Sequence, residues 1–130
     1  MSNQDFLNAV CDGLIARPSG AWVAEKLDYL NRYIGIFETS MKEKWPQRNY
    51  IDLFAGPGKN RIKETGEYLL GSPLLALTTR FPFTGYYFVE FDQENIDSLQ
   101  MRCSESPNLS IINFYRGENH ESSINKQIWN

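Results

Sequence analysis

Residues 50–58, Tyr-Ile-Asp-Leu-Phe-Ala-Gly-Pro-Gly, constrain this chain more than any other segment. A short apolar run with one internal acid, Asp52, passes directly into a turn with a glycine on either side of Pro57. That pattern predicts a buried strand over Tyr50–Phe54 running into a tight turn. A second run, Gly85–Phe91 (GYYFVEF), is aromatic, β-branched and almost free of polar interruption. It suits a strand covered on both faces, which favours a parallel sheet.

Helical patterns separate these runs. Ser72 as N-cap with Pro73 at the first helical position predicts a helix through Leu74–Leu77. Asp92 predicts the N-cap of a helix carrying Ile96, Leu99 and Met101. Leu109–Tyr115 reads as a third strand closed by Arg116-Gly117, and residues 119–130 as the start of another helix. The polar residues 59–70 read as an excursion. Upstream, Phe6, Leu7, Val10, Leu14 and Ile15 recur at helical spacing over Asp5–Ala16, until Arg17-Pro18-Ser19-Gly20 breaks the pattern. A longer period runs from Trp22 through Leu30, Ile34 and Phe37, fades at Lys42–Lys44 and stops at Trp45-Pro46.

Both of these helices are expected before any strand. The expectation is a single α/β domain over 1–130, with a helical N-terminal segment over 1–46 and, over 47–130, half of a doubly wound parallel sheet of about three strands.

With 130 residues, 42% hydrophobic and 22% charged, the chain has the balance of an ordinary globular domain, large enough for one core without metal or disulfide staples. Thirteen Lys and Arg against sixteen Asp and Glu give a net charge of -3, which supplies no global attraction to nucleic acid or an anionic membrane. The positive residues thicken around Lys42, Lys44, Arg48, Lys59, Arg61 and Lys63, but Glu38, Glu43 and Glu64 dilute them, and a solvated surface is the expected reading. Cys11 and Cys103 lie in apparently helical patterns with no CxxC or histidine cluster beside them, so no metal site is expected. No basic leader and no apolar run of membrane length stand out, and a cytoplasmic location is the default.

In a doubly wound sheet, ligands bind at the carboxyl ends of the strands. Three clusters fall there: Asp52–Gly58, Glu90–Asp92 and Gly117–Asn119. Dinucleotide binding wants G-x-G-x-x-G, and the third glycine place is Arg61. A phosphate-binding P-loop fails on glycine spacing and on Asn60 after Lys59. What survives is a nucleoside without a pyrophosphate, a description that S-adenosylmethionine fits. Glu90, ending the second strand, has the chemistry to accept both ribose hydroxyls. Asp92 competes with it, although helix capping is the better reading of Asp92. Phe91 reads either as packing on an adenine face or as core. His120, the single histidine, reads as a surface residue before a general base, and Tyr86, Tyr87 and Trp129 read as packing groups before a base-stacking platform.

Tyr50–Gly58, Gly71-Ser-Pro-Leu-Leu-Ala-Leu77, Val89-Glu-Phe-Asp92 and Gly117-Glu-Asn119, with the long helix carrying Trp22, Lys26 and Tyr33, together resemble the three-Cys-motif partner protein family of the class I methyltransferase-like superfamily. The first motif is also similar to the DLFAG-type glycine loop of DNA and RNA methyltransferases. The resemblance implies a partial Rossmann-like sheet and an S-adenosylmethionine site. Asp52, Phe54, Ala55, Gly56, Pro57 and Gly58 would surround the methionine end, with Asp52 answering its ammonium group. Glu118 would stand where relatives place an acid that reads the adenine amino group, although it is longer than the usual Asp and a residue is missing beside it.

Two functions of different class follow: a methyltransferase domain with an unassigned acceptor, and a non-catalytic interaction module that keeps the fold and binds a partner protein. The segment that usually holds the acceptor follows a fourth strand, and no such motif follows Asn119, so only the cofactor-binding half is expected here. A sheet ending on the glycine-loop strand leaves one hydrogen-bonding edge to be covered. The candidates are the N-terminal helices, a second copy of the chain in a homodimer, and a small cysteine-motif partner protein, the last by the family resemblance alone. Nucleic acid as methyl acceptor has no support from the net charge.

Overall fold

The computed structural model describes residues 7–117. It is a mixed α/β arrangement of three α-helices and two three-stranded sheets among the described residues. In chain order the elements are β1 (Arg17–Ser19), α1 (Trp22–Met41), β2 (Asn49–Asp52), β3 (Lys59–Ile62), β4 (Tyr68–Leu70), α2 (Ser72–Leu77), β5 (Gly85–Glu90), α3 (Gln93–Cys103), a 3-10 turn (Leu109–Ile111) and β6 (Ile112–Arg116).

The larger strands form an all-parallel sheet in the order β2-β5-β6, with Tyr50 beside Tyr86 and Phe88 beside Phe114. Central β5 is buried at every position except Tyr87, as its unbroken apolar sequence demands. Tyr86, Phe88, Leu74, Leu99 and Cys103 fill the core, with α2 packed against β2 and α3 against β5 and β6. The Tyr86 hydroxyl, carried into this core, accepts the Phe83 N–H at 3.0 Å, so it is not left unpaired. Asp92 caps α3 as its position predicts: one carboxylate oxygen accepts the N–H groups of Glu94 and Asn95.

Several expectations change. The first is the helix over Asp5–Ala16: residues 7–16 contain no α-helix. Gly13 takes a φ of +81°, and the carbonyls of Val10 and Ile15 accept from Lys59 Nζ (2.9 Å) and Arg102 Nη1 (2.6 Å) rather than from the next turn of a helix. Val10 and Ile15, on the supposed apolar face, are exposed. Cys11 is accordingly not helical, whereas Cys103 ends α3, and both are free thiols.

The second change concerns order, because strand β1 precedes α1. Arg17–Ser19 pairs parallel with β3, and the polar stretch taken as an excursion is the antiparallel hairpin β3–β4, so these residues build a second small sheet, β1-β3-β4. Backbone pairing decides the structure there, which an apolar-pattern reading does not register.

Third, the N-cap of α2 is Gly71, and Ser72 is its first residue. The Ser72 hydroxyl donates instead to the carboxylate of Asp52. Finally, the third strand begins only at Ile112, after a 3-10 turn over Leu109–Ile111.

Two of the cations expected on a solvated surface are also in the interior. Arg48 gathers the carbonyls of Lys42 (3.3 Å) and Trp45 (2.8 Å), which follow α1, and pairs with the buried Glu38 at 3.1 Å. That arrangement supplies donors at a helix end that would otherwise leave carbonyls unpaired. Lys59 is fully buried. α1 itself forms because Val23, Leu30, Ile34 and Phe37 share one face; Ile34 lies in the core and Leu30 and Phe37 pack against it.

Candidate functional site

The carboxyl ends of β2 and β5 lie side by side, and the turn after β2 is tied to both strands. Ala55, buried, donates its N–H to the Val89 carbonyl at 2.9 Å, and the Gly56 N–H donates to Glu90 Oε1 at 3.0 Å. Gly56 and Gly58 have φ values of +70° and +103°, a backbone region that a side chain rarely tolerates. Pro57 is buried and its carbonyl accepts Arg102 Nη1 at 2.7 Å, while the Gly58 carbonyl accepts the Gly71 N–H at 2.7 Å. The glycine turn is therefore fixed by four hydrogen bonds, two to β5, one to α3 and one to the start of α2.

Glu90 is almost fully buried. Its other oxygen accepts the Asp92 N–H (2.9 Å) and Asn95 Nδ2 (3.2 Å). A carboxylate offers about four acceptor sites, and protein donors fill three of them. One acceptor site thus remains without a protein donor. Asp92 faces its own helix and contributes no further oxygen, in line with capping.

Asp52 ends β2 half-buried, accepting the Phe54 N–H at 3.1 Å and the Ser72 hydroxyl. Burial pushes its carboxyl above the ordinary range, and the charge of Glu90 adds to this. The Ser72 and Phe54 hydrogen bonds and the charge of Arg17 act against it. Phe54 is exposed, and its ring lies 5.9 Å from that of Phe91 at an interplanar angle of 30°. Gly117 makes room for Phe91: a Cβ there would stand 2.8 Å from the ring. The structure thus brings Asp52, Phe54, Ala55, Gly56, Pro57, Gly58, Glu90 and Phe91 together at one end of the sheet. Glu118, Asn119, His120 and Trp129 lie outside the described residues.

Three residues of this region carry no signal in the sequence pattern. Arg102, almost fully buried on α3, makes a two-pronged ion pair with Asp12 (2.9 and 2.8 Å), and Lys59 Nζ lies 3.1 Å from the same carboxylate. Burial raises the Asp12 carboxyl, but the hydrogen bonds from Arg102 and Lys59 outweigh it and hold the group well below the usual carboxylate range. This cluster pins the segment around Asp12 over the glycine turn. The separation of 90 residues between Asp12 and Arg102 explains why spacing rules do not find it.

Beside the outer edge of β2 runs an apolar groove of about 250 Å³ lined by Leu30, Tyr33, Phe37, Tyr50, Ile51 and Phe83. Among the described residues no group of three His, Cys, Asp or Glu side chains is placed to hold a metal ion, and no helix is long and apolar enough to cross a membrane. No family model, no curated protein and no solved structure matches the chain.

Proposed function

We propose that this chain binds a nucleoside of the S-adenosylmethionine class at the ends of β2 and β5, as the cofactor-binding half of a class I methyltransferase-like, Rossmann-type fold akin to the three-Cys-motif partner proteins. The observation that carries the reading is the bond between Glu90 and the Gly56 amide. It joins a ribose-competent carboxylate to a positive-φ glycine turn across two neighbouring parallel strands.

The donor set suits such a ligand. The turn allows close backbone approach, Glu90 keeps one acceptor site for a ribose hydroxyl, and Phe54 and Phe91 supply aromatic surface for a base. Two acids against one arginine favour a ligand whose sulfonium and ammonium groups outnumber its carboxylate. Held there by Asp52, the Gly56–Gly58 turn and Glu90, the cofactor would supply an electrophilic methyl group for transfer to an acceptor. The chain's own part is positioning. A thermal-shift series tests the reading: S-adenosylhomocysteine should raise the melting temperature by several degrees and NAD should not, and the reverse order would replace it with a dinucleotide site.

A second reading, a non-catalytic interaction module, is favoured by the outer face of α1, where Trp22, Tyr29, Tyr33 and Ile36 are all exposed and Tyr33 also lines the β2 groove. On that reading nucleosides leave the melting temperature unchanged; a mass by light scattering above that of a single chain would identify a second copy as the partner and leave both functions open.

A further inference from the structure

We infer that Arg17 is the carboxylate-recognising residue of this site, so that its ligands are nucleosides carrying an α-amino acid rather than nucleosides in general; the inference rests on the nucleoside reading above. Arg17 comes from β1, a strand outside the sheet that holds the glycine turn, and it is placed there by pairing with Asn60 on β3. Its guanidinium covers the buried Gly56: a Cβ on that glycine would stand 2.7 Å from Nη2 and 3.0 Å from Cζ. Nη2 is 3.9 Å from Glu90 Oε1, and the Arg17 charge reaches Asp52 as well.

The other arginines near the core each have four of their five N–H donors committed. Arg102 donates to Asp12, Ile15 and Pro57, and Arg48 to Glu38, Lys42, Trp45 and Pro82. The Arg17 guanidinium makes no hydrogen bond among the described residues and is 45% exposed, within reach of a ligand on the glycine turn. A planar guanidinium with unused donors matches a carboxylate in a two-pronged pair. Asp52, at the same strand end, is the complementary group for an ammonium. Arg17 and Asp52 therefore present opposite charges to the two ends of an amino-acid zwitterion. A phosphate in the same place would face the repulsion of both Asp52 and Glu90.

The test compares S-adenosylhomocysteine with 5′-methylthioadenosine, which lacks the amino-acid end, by calorimetry on the full chain and on Arg17→Met and Arg17→Lys. The expected result is that the chain binds S-adenosylhomocysteine at least tenfold more tightly than 5′-methylthioadenosine. Arg17→Met should lose about that factor for S-adenosylhomocysteine alone, and Arg17→Lys should recover part of it. Retained binding of 5′-methylthioadenosine shows that the variant is folded. Equal losses for both ligands, or none for either, overturn the role of Arg17 while leaving the nucleoside site intact. Failure of the unmodified chain to bind either ligand overturns the site and the inference together.

Discussion

The carboxylate of Glu90 accepts the backbone N–H of Gly56 at 3.0 Å, across 34 positions of sequence, and so holds in place the turn that follows β2. On the proposed reading Glu90 has a structural role and a ligand-binding role, and its substitutions separate the two. Glu90→Ala leaves the Gly56 and Asp92 amides and the Asn95 side chain without an acceptor. It should destabilise the chain by about 2–4 kcal/mol, which a urea titration measures. Glu90→Gln keeps one carbonyl oxygen but turns its amide nitrogen toward donors on the other side, and should cost less than the alanine, about 1–3 kcal/mol.

The two glycines of the turn should respond differently to alanine. At Gly56 the new Cβ meets the end of the Arg17 side chain, which can move, so the cost is mainly the positive φ, about 1 kcal/mol. At Gly58 the φ of +103° is less tolerable and the Cβ would lie 3.2 Å from Leu99 Cδ1 and 3.4 Å from Leu74 Cδ1, both fixed in the core. Gly58→Ala should therefore lower the melting temperature by several degrees more than Gly56→Ala. Equal effects would mean that the turn is not anchored against α2 and α3 as described.

These contacts also mark what the sequence makes legible. The strand over Tyr50–Phe54, the buried β5 run and the Asp92 cap are each written in fewer than ten consecutive residues, and all three form, although the first spans Asn49–Asp52, is half-buried rather than buried, and leaves Leu53 and Phe54 exposed beyond it. The first helix fails because its apolar period competes with something no local pattern contains, the pull of Lys59 and Arg102 on the carbonyls of Val10 and Ile15. Strands β1, β3 and β4 carry too few alternating apolar residues to stand out, and Arg17 reaches the site only because those strands pair.

Asp12→Asn should be severely destabilising, by about 3 kcal/mol, because it leaves the buried Arg102 and Lys59 without their counter-charge. The pH dependence has a defined sign. The folded pKa of Asp12 lies below its unfolded value, near 4. Its contribution is complete above about pH 4 and is lost as the pH falls toward the folded value. Urea midpoints at pH 7 and pH 3 should differ less in Asp12→Asn than in the unmodified chain.

Asp52 works in the opposite sense. Its folded pKa is raised, so ionisation costs stability once the pH has risen through that value, and the cost is absent below the unfolded pKa near 4. Asp52→Asn should raise the melting temperature by about 2–4 °C at pH 7.5 and leave it unchanged at pH 3, while weakening S-adenosylhomocysteine binding about tenfold. A variant that is both less stable and unimpaired in binding would remove Asp52 from the site.

The most direct measurement of the central claim is the affinity of the full chain for S-adenosylmethionine by isothermal titration, set beside Glu90→Gln. The site described here predicts one molecule bound per chain, with Glu90→Gln folded at 25 °C and at least tenfold weaker. No binding to the unmodified chain, or equal affinity in a folded Glu90→Gln, would contradict a nucleoside site at the ends of β2 and β5.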